Sequence, residues 1–206
     1  KVGLELVTAE GPGIVARLRD MDFKVFLDLK LHDIPNTVRG AVKAAAGAGA
    51  DMLTLHASGG TRMMQAAAEA RDALGRANAP LLMAVTMLTS LAPEDTAGIY
   101  VQAPSQMVLD LTGKAFQSGM DGVVCSPLEA RAVKSATAAR FLCLTPGIRE
   151  AAAPGVQRTD DQRRTATPAE AVAAGADYLV AGRPVTQAED PAAAARRIIE
   201  AMERPA

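Results

Sequence analysis

Seven short apolar segments, each followed by a segment with helical periodicity, constrain the fold of this chain more than any other feature of its sequence. Successive apolar segments lie roughly 20 to 40 residues apart, and each is a continuous run, as in parallel strands that are buried on both faces. The predicted strands are 1–7, 25–30, 51–57, 81–86, 121–126, 141–145 and 177–181. Predicted helices cover 11–19, 35–48, 62–74, 105–118, a segment from residue 127, 168–174 and 191–202.

This alternation predicts a (β/α)8 barrel that forms a single domain over residues 1–206. A closed barrel of this type has eight strands, so we expect a further strand and helix before Lys1 and a domain that is N-terminally incomplete. A doubly wound open sheet is the structural alternative. No Gly-x-Gly-x-x-Gly pattern follows the strands, and polar residues recur at their carboxyl ends, which favours the barrel.

Charge and cysteine content limit the classes of partner and compartment. The formal net charge of −1 and the lack of a basic stripe exclude a general nucleic-acid binder, so the expected partners are small molecules. Cys125 and Cys143 lie in apolar runs and are expected to be buried thiols in a reducing compartment. No apolar run approaches the roughly 18 residues that span a bilayer, and no signal-peptide pattern is evident. We therefore expect a cytoplasmic protein without a membrane partner.

The second predicted strand ends in the pattern Asp28-x-Lys30-x-x-Asp33. Because side chains alternate along a strand, Asp28 and Lys30 are expected on the same face, with Asp33 just beyond the strand. Taken alone, this pattern also fits a solvated ladder of surface ion pairs. In a barrel, however, the carboxyl ends of all strands line the mouth where such enzymes act, which favours an active site.

Two further segments at strand ends suggest a phosphate group in the ligand. Gly182-Arg183 follows the last strand, where a glycine lets backbone N–H groups approach an anion and an arginine adds charge-assisted donors. The long loop 146–164 contains Arg149 and several other basic or amide residues. A plain turn and a solvated loop are the alternatives for these two segments.

Along its whole length the chain resembles the orotidine 5′-phosphate decarboxylases. The resemblance is carried by segments 1–5, 26–37, 56–60, 88–90, 121–126, 145–149, 161–164 and 180–186. The Asp-x-Lys-x-x-Asp pattern is shared with related phosphosugar decarboxylases. Together with His-Asp-Ile-Pro-Asn-Thr, Pro-Gly-Ile-Arg and Gly-Arg-Pro it is specific for this family.

The resemblance implies conversion of orotidine 5′-phosphate to uridine 5′-phosphate and carbon dioxide in pyrimidine biosynthesis, without a metal or organic cofactor. It implies a homodimer in which Asp33 and Thr37 complete the site of the partner subunit. The implied catalytic residues are Lys1, Asp28, Lys30 and Asp33. The implied ribose and pyrimidine contacts are Thr37, Thr89 and Ser90. The implied phosphate contacts are Gln162, Gly182 and Arg183, with Arg149 close by on the long loop that covers the substrate.

Two alternative functions remain open at this point. A magnesium-dependent 3-keto-gulonate 6-phosphate decarboxylase shares the barrel and the Asp-x-Lys-x-x-Asp strand but needs a metal-binding acid at the end of the preceding strand. This chain has Lys1 in that region, and Glu5 would lie too deep along the predicted strand. A non-catalytic phosphate- or nucleotide-binding barrel would bind its ligand without turnover. His32 and His56 are expected to be satisfied strand-end or interface side chains.

Overall fold

The structure is a computed structural model, which describes residues 1–75, 79–91, 93–96, 98, 102–149 and 165–203. Its described residues form seven strands, which follow one another in the order of the sequence. They are β1 (Val2–Gly3), β2 (Phe26–Leu31), β3 (Met52–His56), β4 (Leu81–Val85), β5 (Gly122–Val124), β6 (Leu142–Thr145) and β7 (Tyr178–Leu179). The pairs β1 with β2, β2 with β3, β3 with β4, and β6 with β7 are parallel. The predicted α/β class is therefore confirmed.

Helices occupy the segments between the strands. They are α1 (Leu4–Glu10), α2 (Gly13–Arg19), α3 (Pro35–Gly47), α4 (Thr61–Asp72), α5 (Pro93–Thr96), α6 (Pro104–Gln117), α7 (Pro127–Ala136), α8 (Pro168–Ala173), α9 (Arg183–Thr186) and α10 (Pro191–Met202). A 3₁₀ turn over Ala57–Gly59 separates β3 from α4. Among the helices described, none has both the length and the apolar character needed to cross a membrane.

The chain divides into two compact units, each with its own buried side chains. The first unit comprises Lys1–Thr86 and Leu111–Val123, and its core includes Leu53 and Leu55 of β3 and Met63 and Met64 of α4. The second comprises Met87–Asp110 and Val124–Ala206. Its core includes Cys125, Cys143 and Ile148, which are fully buried. Both cysteines are thus buried thiols, as predicted.

A repeated Gly-x-Asp turn leads into three of the strands. In each turn the glycine has a positive φ, which favours a residue without a side chain, and the aspartate two residues later immediately precedes the strand. The glycines are Gly49, Gly119 and Gly175, with φ angles of 92°, 80° and 103°. The aspartates are Asp51, Asp121 and Asp177.

Each aspartate of these turns accepts a backbone hydrogen bond from the beginning of the adjacent strand. The donors are the N–H groups of Val25 at 2.7 Å from Asp51, Leu82 at 2.8 Å from Asp121, and Cys143 at 2.7 Å from Asp177. Each carboxylate also pairs with a cation: Arg19 with Asp51, Arg71 with Asp121, and Lys134 with Asp177. The turns therefore fix the amino ends of neighbouring strands to each other.

The predicted strand over residues 1–7 is wrong beyond Gly3, because Leu4–Glu10 form helix α1. Leu4, Leu6 and Val7 fit either a strand or a helical period in so short a segment. The helix ends where Gly11 adopts a φ of 73° and donates its N–H to the Val7 carbonyl. Glu5 consequently lies exposed on a helix rather than deep along a strand.

Candidate active site

The carboxyl-terminal part of β2 is irregular at the position of Lys30. Leu27 pairs with Leu53 and Leu31 pairs with Leu55, so four steps along β2 correspond to two steps along β3. Lys30 lies inside this bulge with a φ of 51°. A left-handed conformation costs a residue with a β-carbon roughly 1–2 kcal/mol, so neighbouring groups must hold Lys30 in place.

Two ammonium groups converge on the carboxylate of Asp28. Lys30 Nζ lies 2.8 Å from both Asp28 oxygens, and Lys1 Nζ lies 2.9 Å from Asp28 Oδ2. Asp28 is buried, whereas the side chains of Lys1 and Lys30 remain 38% and 32% exposed. The predicted proximity of Asp28 and Lys30 is thus confirmed, although a bulge rather than a regular strand produces it.

Thr54 on β3 completes this cluster, and the sequence analysis missed it. Its hydroxyl donates to Asp28 Oδ1 at 2.8 Å and accepts from the Lys30 N–H at 2.9 Å. The residue is fully buried. A threonine inside an apolar run resembles a core residue, but its spacing of two from His56 places both on the same side of β3.

The surroundings of Asp28 keep its carboxylate charged. Burial by itself would raise the pKa of Asp28. The hydrogen bonds from Lys1 and Lys30, the positive charge of Lys1 and the Thr54 hydroxyl together outweigh burial and hold this pKa below its usual value. A persistent negative charge therefore lies between the two ammonium groups.

The two histidines of the chain lie beside this cluster, with ring centroids 5.3 Å apart. Burial lowers the pKa of His56, and the nearby His32 and Lys30 lower it further. His56 is therefore neutral at pH 7, because its usual pKa of about 6.5 is already below that pH. Among the described residues, no three histidine, cysteine or acidic side chains are grouped as metal ligands.

Asp33 and Thr37 are exposed and lie beyond the charged cluster along the chain. Asp33 Oδ1 accepts the Ile34 N–H at 2.6 Å, and Thr37 lies in the first turn of α3. The Lys30 ammonium contacts Asp28 within its own chain. That Asp33 and Thr37 serve a partner subunit remains a prediction.

The remaining predicted binding residues belong to the second unit. Thr89 is buried and Ser90 is exposed. The guanidinium of Arg149 donates to the Ile148 carbonyl at 2.8 Å. The backbone N–H of Arg149 donates to the Ala166 carbonyl at 3.0 Å. Arg183 is the first residue of α9, and Gly182 directly precedes that helix. Gln162 and most of the loop 146–164 lie outside the described residues.

The chain matches the family model described as "Orotidine 5'-phosphate decarboxylase / HUMPS family" over residues 1–198. It is 54% identical to orotidine 5′-phosphate decarboxylase of Maridesulfovibrio salexigens, covering 98% of this chain and 86% of that protein. It is also 54% identical to the protein of the same name from Nitratidesulfovibrio vulgaris (strain DSM 19637 / Miyazaki F), covering 98% and 83%.

Solved structures resemble the chain over the same extent. Orotidine 5′-phosphate decarboxylase from Lactobacillus acidophilus superposes with a TM-score of 0.85 at 37% identity, covering 98% of this chain and 86% of that one. An uncharacterized conserved protein from Geobacillus kaustophilus gives a TM-score of 0.82 at 40% identity, with the same coverage. The predicted fold of the TIM-barrel type is thereby confirmed, with seven parallel strands in the described part of this chain.

Proposed function

The chain belongs to the orotidine 5′-phosphate decarboxylase / HUMPS family, and we propose that Lys30 delivers the proton in its reaction. The predicted activity is confirmed by the family match and by the relatives of that name. The enzyme is a carboxy-lyase that converts orotidine 5′-phosphate to uridine 5′-phosphate and carbon dioxide in pyrimidine biosynthesis.

The single observation that carries the proposal is the Lys30 ammonium held at 2.8 Å from both oxygens of the buried Asp28. In the reaction, the bond between the pyrimidine ring and its carboxylate breaks, and carbon dioxide leaves. The electron pair stays on the ring carbon, which has no adjacent group to accept it. A fixed ammonium stabilises this developing charge, and Lys30 then transfers a proton to the same carbon.

Asp28 has two roles in this scheme. It orients the Lys30 ammonium, and it places a negative charge near the carboxylate of the substrate. Two unit charges 4 Å apart interact by roughly 4 kcal/mol at an effective dielectric near 20, so this repulsion favours loss of carbon dioxide. Lys1, which binds Oδ2 of Asp28, orients that carboxylate and a ribose hydroxyl.

Binding of the rest of the nucleotide is assigned to the residues that resemble those of the family. We propose that Thr89 and Ser90 contact the ribose and pyrimidine, and that Gln162, Gly182 and Arg183 bind the phosphate, with Arg149 close by. The phosphate does not react, but its binding energy can offset the cost of bringing the substrate carboxylate against a negative charge.

The proposal includes a homodimer in which Asp33 and Thr37 of one subunit complete the site of the other. The exposure of both residues on the chain that carries them supports this arrangement. An enzyme of nucleotide synthesis whose two cysteines are buried thiols also fits a cytoplasmic location.

The proposal is tested with Lys30→Ala. Decarboxylation is followed by the ultraviolet absorbance of orotidine 5′-phosphate in excess chelator, and binding of uridine 5′-phosphate is measured by calorimetry. We expect turnover to fall by more than about 10⁴-fold, because both the fixed charge and the proton donor are lost, while product affinity changes little.

Lys43→Ala is the matched control, since Lys43 is exposed on α3 outside the charged cluster. It should keep the activity of the unsubstituted enzyme. Activity of Lys30→Ala within about tenfold of the unsubstituted enzyme would exclude Lys30 as the proton donor.

A further inference from the structure

The Thr54 hydroxyl is buried between the two groups on which the proposed mechanism depends. It contacts the Asp28 carboxylate at 2.8 Å and the backbone N–H of Lys30 at 2.9 Å. We propose that Thr54 is a positioning residue for decarboxylation, whose hydroxyl holds the Lys30 backbone and the Asp28 carboxylate in the geometry that proton delivery requires. This inference rests on the proposed role of Lys30.

The chemistry of the two partners fixes the direction of both hydrogen bonds. A backbone N–H only donates and a carboxylate only accepts, so the Thr54 hydroxyl accepts from Lys30 and donates its proton to Asp28. Threonine is branched at its β-carbon and therefore stiff about its first side-chain torsion. Full burial of Thr54 also keeps water from replacing it. The hydroxyl is thus a rigid link between the two catalytic groups.

The bulge in β2 explains why such a link is needed. In a regular parallel strand, the N–H of Lys30 would pair with a carbonyl of the neighbouring strand. The register shift between Leu27 and Leu31 interrupts this ladder, and the Thr54 side chain supplies the acceptor instead. Without the hydroxyl, the Lys30 backbone is free to leave its left-handed conformation, and the ammonium moves with it.

The test is Thr54→Val, which removes the hydroxyl while nearly preserving the shape of the side chain. A displacement of about 1 Å in a reacting group can cost 10²-fold in rate, so we expect kcat to fall about 10- to 100-fold. We expect KM and the affinity for uridine 5′-phosphate to stay within about threefold, because the proposed phosphate contacts are not altered. Thr54→Ser, which restores a hydroxyl, should recover most of kcat.

Thr112→Val is the matched control. Thr112 is fully buried on α6, and its hydroxyl has no hydrogen-bond partner within the described part of the chain. The same chemical change therefore removes no hydrogen bond there. Its kcat should equal that of the unsubstituted enzyme.

A readout independent of turnover is the pKa of the Asp28 carboxyl, followed by carbon-13 NMR. Asp28 faces Lys1, Lys30 and the more distant His56, and all three remain in Thr54→Val. Loss of one hydrogen bond to the charged carboxylate should raise this pKa, whereas Thr112→Val should leave it unchanged.

Unchanged kcat in Thr54→Val, or a rise in KM alone, would overturn the inference. If that variant does not fold, Thr54→Ala is read in the same way. If neither Thr54→Val nor Thr54→Ala folds while Thr112→Val does, the Thr54 hydroxyl has a structural role. That result would also overturn the inference. The proposed function is tested separately. An active Lys30→Ala variant would contradict it, whatever the Thr54 variants show.

Discussion

At the scale of single residues, three donors converge on the Asp28 carboxylate: the ammonium groups of Lys1 and Lys30 and the hydroxyl of Thr54. The carboxylate offsets the repulsion between the two ammonium groups, and it is the buried member of the cluster. Lys30 also carries a left-handed backbone conformation. Charge and backbone strain are therefore concentrated at the residue to which we assign the proton transfer.

The lowered pKa of Asp28 predicts how the stability of the protein depends on pH. The unfolded chain takes up a proton on this carboxyl near its ordinary pKa of about 3.9, while the folded chain does so only at lower pH. The charged carboxylate therefore stabilises the fold fully above about pH 4, and this contribution is lost as pH falls through the folded pKa.

Asp28→Asn removes this titration. Thermal unfolding of both proteins from pH 7 to pH 3 should give melting temperatures that differ most at neutral pH. The difference should narrow on acidification below about pH 4, because only the unsubstituted protein loses a charge at this position. Parallel curves for the two proteins would contradict the assignment of the lowered pKa.

At the scale of elements, the three Gly-x-Asp turns act as clamps at the amino ends of neighbouring strands. Each carboxylate accepts a backbone N–H at 2.7–2.8 Å and pairs with an arginine or lysine. The clamps lie at the amino ends of their strands, whereas Lys30 lies in the carboxyl-terminal part of β2. Their contribution is therefore expected in stability rather than in catalysis.

Replacing an aspartate of a clamp by alanine should destabilise the fold. For Asp177→Ala we expect the free energy of unfolding to fall by about 2 kcal/mol, since hydrogen bonds to charged groups contribute about 1.5–3 kcal/mol and the Cys143 N–H loses its acceptor. Urea unfolding followed by circular dichroism measures the change.

Asp20→Ala provides the comparison, because Asp20 is exposed at the end of α2. A surface change of this kind is expected to alter stability by no more than about 0.5 kcal/mol. An Asp177→Ala variant as stable as Asp20→Ala would show that the clamp does not stabilise the fold.

At the scale of the whole molecule, each active site of the proposed dimer contains residues of both chains. Lys1, Asp28, Lys30 and Thr54 contact one another within one chain. Asp33, by contrast, is exposed on that chain. If Asp33 serves the partner subunit, a change at Lys30 on one chain and a change at Asp33 on the other fall in the same site, so the second site of that dimer stays intact.

Mixed dimers test this arrangement. Lys30→Ala and Asp33→Ala chains, each inactive alone, are co-expressed. Random assembly then gives half mixed dimers with one intact site each, so we expect about a quarter of the unsubstituted activity. Lys30→Ala mixed with Asp28→Asn is the control, because both residues belong to the same chain's cluster and no intact site can form. If the mixture of Lys30→Ala and Asp33→Ala chains recovers no more activity than this control, the site is not shared between subunits.

Much of the fold was determined by the sequence alone. Parallel strands buried on both faces require continuous apolar runs, and these located all seven strands that the described residues form. The last helix, 191–202, was predicted with its observed limits. The family was determined in the same way, because the motifs around Asp28, Lys30 and Gly182 are contiguous in the chain. The Gly-x-Asp repeat is also visible in the sequence, although its hydrogen-bond partners are not.

The tertiary structure alone decided the details of the site. Local alternation correctly placed Asp28 and Lys30 together, but it contained no sign of the bulge or of the positive φ of Lys30. Thr54 was missed because its two hydrogen bonds reach residues 24 and 26 positions earlier in the chain. Periodicity reports which face a side chain occupies within its own strand. Which polar group of a neighbouring strand meets it depends on the register between strands, and that is set only when the sheet assembles.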